Sequence, residues 1–131
     1  MTLWRWILVV STLMWMGSMF LPVIERIPGV YALYVGCVVP FDPSQSAQTR
    51  LSYLAALIGN ATILPAMLVT LRYAKVCKIA APAMGVGFAG AAVIGIMSSS
   101  ETDSLRAGYY LWCSALGVSF VGCVLGSVSK Q

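Results

Sequence analysis

Four apolar stretches separated by polar segments form the main pattern along this chain of 131 residues. They cover residues 3–24, 51–71, 79–98 and 105–128. Each is close to the roughly 20 residues that an α-helix needs to cross a bilayer. The pattern therefore predicts an all-α membrane protein, a bundle of four transmembrane helices that forms one integral membrane domain over residues 1–131.

The charges between these stretches alternate in sign along the chain. Arg72, Lys75 and Lys78 all lie in the short turn 72–78, between the second and third stretches. The acidic residues are Glu25, Asp42, Glu101 and Asp103. All of them fall in the other two connections, residues 25–50 and 99–104. Because basic residues are retained on the cytoplasmic side, we expect both termini in the cytoplasm and these two connections outside, at a bacterial inner (plasma) membrane.

The first stretch has a second interpretation, as a signal peptide. Arg5 precedes an apolar run, as in the basic and apolar regions of such leaders. No clear Ala-x-Ala cleavage site follows it, so we expect a retained helix.

Composition excludes several kinds of binding but does not identify an activity. Only 9% of residues are charged, against about 25% in a soluble domain. The net charge of +4 is explained by membrane orientation, so no nucleic-acid partner is expected. The chain has no histidine, and its four cysteines contain no Cys-x-x-Cys pair. No metal site and no cofactor are therefore expected.

The first outer connection contains an apolar segment at residues 30–39, which is too short to cross a bilayer. Its β-branched and aromatic residues favour a short strand or hairpin on the membrane, with an interfacial helix as the alternative. Tyr31, Tyr34 and Phe41 are predicted here as contacts for a partner, since aromatic residues are enriched at interfaces. The alternative is that these rings rest on lipid headgroups or on the bundle itself.

Small residues recur at every fourth position of the third stretch, including Gly87, Ala91 and Gly95. Such a stripe lets two helix backbones approach closely in lipid. We predict it as a docking surface for another membrane protein, with packing inside the bundle as the alternative.

Asn60 is the one strongly polar side chain deep in a predicted span. An unpaired amide in hydrocarbon costs several kcal/mol, so Asn60 should find a partner. An interhelical hydrogen bond is favoured; a bond to the Ala61 carbonyl, which Pro65 leaves free, and a contact with a ligand or partner are the alternatives.

Cys37 and Cys113 both fall on the predicted outer side. In an oxidising compartment they could form a disulfide between the first connection and the fourth stretch. The alternative is two buried thiols that act as small apolar groups.

No Asp, Glu, Lys, Arg or His lies in the middle of a stretch, where proton or ion pathways usually need such a residue. We therefore expect a non-catalytic protein whose partners are the bilayer and another integral membrane protein or a second copy of itself. An accessory subunit and an immunity protein against a membrane-active toxin both fit. The alternatives are an oligomeric transporter or channel subunit lined by Ser, Thr and Asn60, and a membrane enzyme that uses Glu101 and Asp103. Four spans alone carry no function.

Overall fold

Helices dominate the architecture. A computed structural model describes residues 2–24, 27–70, 72–99 and 107–128. The α-helices of this part are α1 (Leu3–Ser18), α2 (Gly29–Val38), α3 (Ala47–Thr70), α4 (Cys77–Ser99) and α5 (Ala107–Val128). Two short antiparallel strands, β1 (Pro22–Ile24) and β2 (Ile27–Pro28), lie between α1 and α2. Single turns of 3-10 helix occur at Val39–Phe41 and Ala74–Val76.

Three helical segments of the described chain are long and apolar enough to cross a membrane. They are Ala47–Thr70, Ala74–Ile96 and Ala107–Val128. The helix of the first stretch, predicted over 3–24, ends at Ser18. Pro22 has no N–H for the carbonyl of Ser18, which accepts from the Leu21 N–H at 3.4 Å instead. With 16 residues α1 is about 24 Å long, short of the roughly 30 Å hydrocarbon core.

The long helices pack in the order α3, α4, α5, α1, and α1 makes few contacts with α3. The helix α2 packs on α3 and on β1. It therefore lies at the end of the bundle where α1 ends and α3 begins, which we call the α2 end.

α1 and α5 run antiparallel along their full contact. A Cβ atom on Gly126 would lie 3.0 Å from the Trp4 ring, and one on Gly122 would lie 3.1 Å from Leu8. Halfway along, the Ser119 hydroxyl donates to the Ser11 hydroxyl at 2.8 Å. Glycines thus let the backbone of α5 approach the side chains of α1.

Aromatic rings fit against glycines between α4 and α5. The Phe120 ring lies 3.1 Å from the Cβ position of Gly85, and the Phe88 ring lies 3.0 Å from that of Gly117. Each helix therefore supplies one ring and one gap to the other.

Several buried hydroxyl groups donate to backbone carbonyls of their own helices. Ser11 and Thr12 donate to the carbonyl of Leu8 at 2.9 and 2.8 Å, and Ser18 donates to that of Trp15 at 2.6 Å. Thr70 donates likewise to the carbonyl of Ala66. These bonds remove the cost of burying a hydroxyl among apolar side chains.

The prediction of a strand or hairpin over residues 30–39 is wrong, because this segment forms α2. The alternative was an interfacial helix, and its helical secondary structure is confirmed. The strand pair lies earlier, with Pro22 opposite Pro28. α3 also begins earlier than predicted, at Ala47, where the Ser46 hydroxyl accepts from the Thr49 N–H at 3.2 Å as a helix N-cap does.

Candidate functional site

The start of α2 is fixed against the end of α1 by Gly29. A Cβ atom there would lie 2.2 Å from the carbonyl oxygen of Ser18, so any larger residue would push the two helices apart. The Gly29 N–H donates to the Leu21 carbonyl at 3.0 Å, and the Val30 N–H donates to the Met19 carbonyl at 3.1 Å. Backbone bonds therefore hold the first turn of α2 in place.

The connection from α2 to α3 is held by one positively charged and one negatively charged side chain. Arg50 Nε donates to the carbonyl of Pro40 at 3.1 Å. The carboxylate of Asp42 accepts from the hydroxyl of Ser44 at 2.7 Å and from its N–H at 2.9 Å. These bonds hold the pKa of Asp42 below its ordinary value, because they stabilise the charged form. α2 is thus fixed at both ends.

Three aromatic side chains project from the fixed segment 29–41, which consists of α2 and the turn of 3-10 helix after it. Tyr31 is 54% exposed, Tyr34 is 64% exposed and Phe41 is 72% exposed. The rings of Tyr31 and Tyr34 are neighbours, with centroids 6.2 Å apart. We call Tyr31, Tyr34 and Phe41 the aromatic platform. They are the residues that the sequence predicted as partner contacts, and they stay accessible in this structure.

The small-residue stripe of α4 lies inside the bundle. A Cβ atom on Gly87 would be 2.4 Å from the Cα of Gly59 on α3. Ala91 is fully buried, and its carbonyl accepts from the Tyr109 hydroxyl of α5 at 2.7 Å. The same hydroxyl would lie 1.8 Å from a Cβ atom on Gly95. Gly87, Ala91 and Gly95 are therefore covered by α3 and α5, which leaves them inaccessible to a partner in this structure.

Asn60 joins three helices through one oxygen. Its Oδ1 accepts from Trp15 Nε1 of α1 at 2.8 Å and from Trp112 Nε1 of α5 at 2.7 Å. It bridges α3 to two helices with which α3 otherwise makes few contacts. The favoured sequence interpretation, an interhelical bond, matches this arrangement, and Asn60 is not bonded to the Ala61 carbonyl.

Sequence reasoning missed the two tryptophans that meet Asn60. A usable signal was present, because a buried indole N–H usually finds an acceptor. Trp15 and Trp112 lie within apolar stretches, and the chain contains only one asparagine. The spacing along the chain could not show that both indoles reach the same oxygen.

A cavity of about 110 Å³ separates α2 from the bundle beneath it, and Asn60 contributes to its wall. The wall is otherwise apolar and aromatic, and none of the described residues that line it is charged. Its larger side chains include Tyr31, Tyr53, Leu57, Ile94, Tyr109 and Trp112.

All four cysteines are free, so the possible disulfide between Cys37 and Cys113 is not formed in this structure. Cys37 is exposed on α2, whereas Cys113 is half-buried on α5. A different pair meets at the opposite end of the bundle. There, the thiols of Cys77 and Cys123 are both buried, and Cys77 Sγ would lie 2.5 Å from a Cβ atom on Gly126, three residues after Cys123.

The acidic residues proposed for acid–base chemistry, Glu101 and Asp103, lie outside the described residues, as does Glu25. Among the predicted residues, the structure brings Tyr31 of the aromatic platform and Asn60 together in the wall of the cavity, which Tyr34 and Phe41 do not line. Neither feature can be assigned by likeness, because no family model, no curated protein and no solved structure matches this chain.

Proposed function

We propose that this protein is a non-catalytic four-span membrane protein that binds another integral membrane protein through the aromatic platform. The observation that carries the proposal is the exposure of Tyr31, Tyr34 and Phe41 on a short segment fixed at both ends. An accessory subunit of a membrane complex and an immunity protein that blocks a membrane-active toxin are the two roles of this class that fit.

The place of α1 beside α5 supports a fourth span. Trp4 lies against Gly126 near the end of α5, and Leu111 near its beginning lies 3.6 Å from the Cβ position of Gly17. α5 is long enough to cross a membrane. Because α1 runs beside α5 over this distance, it lies at the same depth in the membrane. The strand β1, which follows α1, also contacts α5.

The position of the charges supports an orientation with the α2 end outside. Arg72 and Lys75 lie between α3 and α4, at the end opposite α2, and Lys78 lies in the first turn of α4. Arg5 lies in the first turn of α1, at the same end. Basic residues on one side of the bundle favour that side as cytoplasmic, with both termini there in a bacterial inner membrane.

The aromatic platform suits binding for two physical reasons. Tyrosine buries a large rigid ring and keeps a polar hydroxyl, which makes it a frequent contributor to binding energy. A surface already held in its bound shape also loses little conformational entropy on association. The bonds at Gly29 and Arg50 supply this rigidity.

A photoreactive benzophenone side chain placed at Tyr34 tests the proposal in the native membrane. We expect one defined protein adduct, which disappears when Tyr31→Ala is added and when the unmodified protein is overproduced as a competitor. The control position is Leu13, which is exposed on α1 in the middle of a predicted span and should yield lipid adducts only. Lipid adducts alone at Tyr34, or a protein adduct insensitive to both changes, would refute the proposal.

A further inference from the structure

We infer that the cavity beneath α2 is a binding site for a small, uncharged ring compound that presents a carbonyl oxygen to Asn60. This site goes beyond partner binding and does not depend on it. It is distinct from the exposed faces of Tyr34 and Phe41, which do not line the cavity.

The orientation of the Asn60 amide follows from its two partners. An indole N–H can only donate, so the atom that meets both Trp15 and Trp112 must be the amide oxygen. The nitrogen of the same amide is therefore left with two N–H donors. Among the described residues Asn60 Nδ2 has no hydrogen-bond acceptor, although Asn60 lines the cavity.

Three other polar side chains of the cavity wall already donate a hydrogen bond. Ser18 donates to the carbonyl of Trp15, Tyr109 donates to that of Ala91, and Trp112 donates to Asn60. The Tyr53 hydroxyl, seven residues before Asn60 on the same face of α3, makes no hydrogen bond with any other described residue. Asn60 Nδ2 and the Tyr53 hydroxyl are thus half-buried groups of α3 with unused capacity to donate a hydrogen bond.

The ligand chemistry follows from this wall. A donor without nearby charge fits a neutral oxygen acceptor, because an anion would need a cation that the described lining does not provide. Aromatic walls favour a flat or ring-shaped apolar body. The cavity volume of about 110 Å³ is of the order of the roughly 150 Å³ cavity that takes up benzene, so it accommodates a single ring. A cyclic ketone or a quinone ring has this combination of size and acceptor.

The single asparagine of the chain gives a direct test. The protein is prepared in lipid nanodiscs with ¹⁵N in the asparagine side chain, so that its one NH₂ group reports on Asn60. It is titrated with cyclohexanone and with methylenecyclohexane, which replaces the carbonyl oxygen with a CH₂ group of similar shape. Concentrations are expressed per bilayer volume, measured with empty nanodiscs.

We expect cyclohexanone to shift the Asn60 amide protons downfield in a saturable manner, and methylenecyclohexane to cause no downfield shift. The hydrogen bond should make the ketone bind roughly 2- to 10-fold more tightly. No saturable shift, or the same shift with both probes, would overturn the inference. The second result would mean that any hydrocarbon of the bilayer can fill the cavity.

A cavity-filling variant links the shift to this location. Gly36 lines the cavity, and a Cβ atom there would meet only Tyr53, at 4.0 Å, so Gly36→Leu has room to enter the empty space. We expect it to abolish the ketone shift, whereas Val38→Leu, at an exposed position of α2 away from the cavity, should retain it. If Gly36→Leu does not fold, Ala32→Leu fills the same cavity. A ketone shift that persists in a folded cavity-filling variant overturns the inference.

Discussion

Gly59 of α3 and Gly87 of α4 bring their backbones into direct contact. A Cβ atom on Gly59 would lie 2.7 Å from the Cα of Gly87, and one on Gly87 would lie 2.4 Å from the Cα of Gly59. Three residues further along α4, a Cβ atom on Gly90 would lie 2.6 Å from the backbone nitrogen of Ala56. In lipid, where helix association relies on close packing, this contact depends on the absence of side chains.

The first prediction compares two Gly→Ala variants with opposite surroundings. Gly87→Ala should lower the free energy of unfolding by roughly 1–3 kcal/mol, because the added methyl group meets rigid backbone. Gly36→Ala, with free space at its Cβ position, should be neutral or stabilising by up to about 1 kcal/mol, because alanine has the higher helix propensity. Unfolding by denaturing detergent, followed by circular dichroism, measures both. Equal stability of the two variants would contradict the close α3–α4 contact.

The second prediction concerns the hydrogen bonds at Asn60. Asn60→Leu leaves the part-buried indole N–H groups of Trp15 and Trp112 without their acceptor, at up to about 1–3 kcal/mol for each unsatisfied donor. Trp112→Phe removes one bond but leaves Trp15 paired, so its cost from this bond should be only about 0.6–1.7 kcal/mol. The same unfolding assay should rank Asn60→Leu as more destabilising than Trp112→Phe.

A double-mutant cycle isolates that coupling. The second substitution should cost less in the Asn60→Leu background than in the original chain, because the bond is already lost. Trp6→Phe, at an exposed ring on α1, should give additive changes with Asn60→Leu. Additivity for Trp112→Phe as well would show that the bond does not contribute to stability.

The third prediction follows from the free cysteines. Cys37 is exposed on α2, whereas Cys77 and Cys123 are buried. A maleimide reagent applied to the folded protein should label Cys37 fastest, and equally well with and without prior reduction. Cys37→Ser should remove the fast phase. A fast phase that appears only after reduction would indicate that Cys37 is held in a disulfide, as in the Cys37–Cys113 hypothesis.

Sequence patterns predicted the helices of the three long spans because long apolar stretches have few alternatives in a bilayer. The segment at residues 30–39 was harder, because its nearly continuous apolar run shows neither the helix period nor a clear strand alternation. Its helical form depends on contacts with other elements. One of them is the approach of Gly29 to Ser18, two residues that are not close in sequence.

The stripe containing Gly87 and Gly95 shows a second limit of sequence reasoning. The spacing correctly indicated close helix packing but could not identify which helix covers it. The glycine of α3 opposite Gly87 and the tyrosine of α5 opposite Gly95 belong to this same chain. Asn60 shows the same limit. The sequence predicted that Asn60 needs a hydrogen-bond partner but could not identify Trp15 and Trp112.

The last prediction tests the proposed orientation. Reporter fusions after Lys75 and after Ser99 should give opposite signals, because α4 lies between these positions and the stretch Ala74–Ile96 is apolar enough to cross. A fusion after Val128 should match the one after Lys75, as expected if α4 and α5 both cross.

Replacing Arg72, Lys75 and Lys78 with Gln should reduce the difference between the signals on the two sides, since these cations set the cytoplasmic side in the proposal. The control is Arg50→Gln, at the α2 end, which should leave the cytoplasmic signal after Lys75 unchanged. Matching signals after Lys75 and after Ser99 would show that α4 does not cross the membrane.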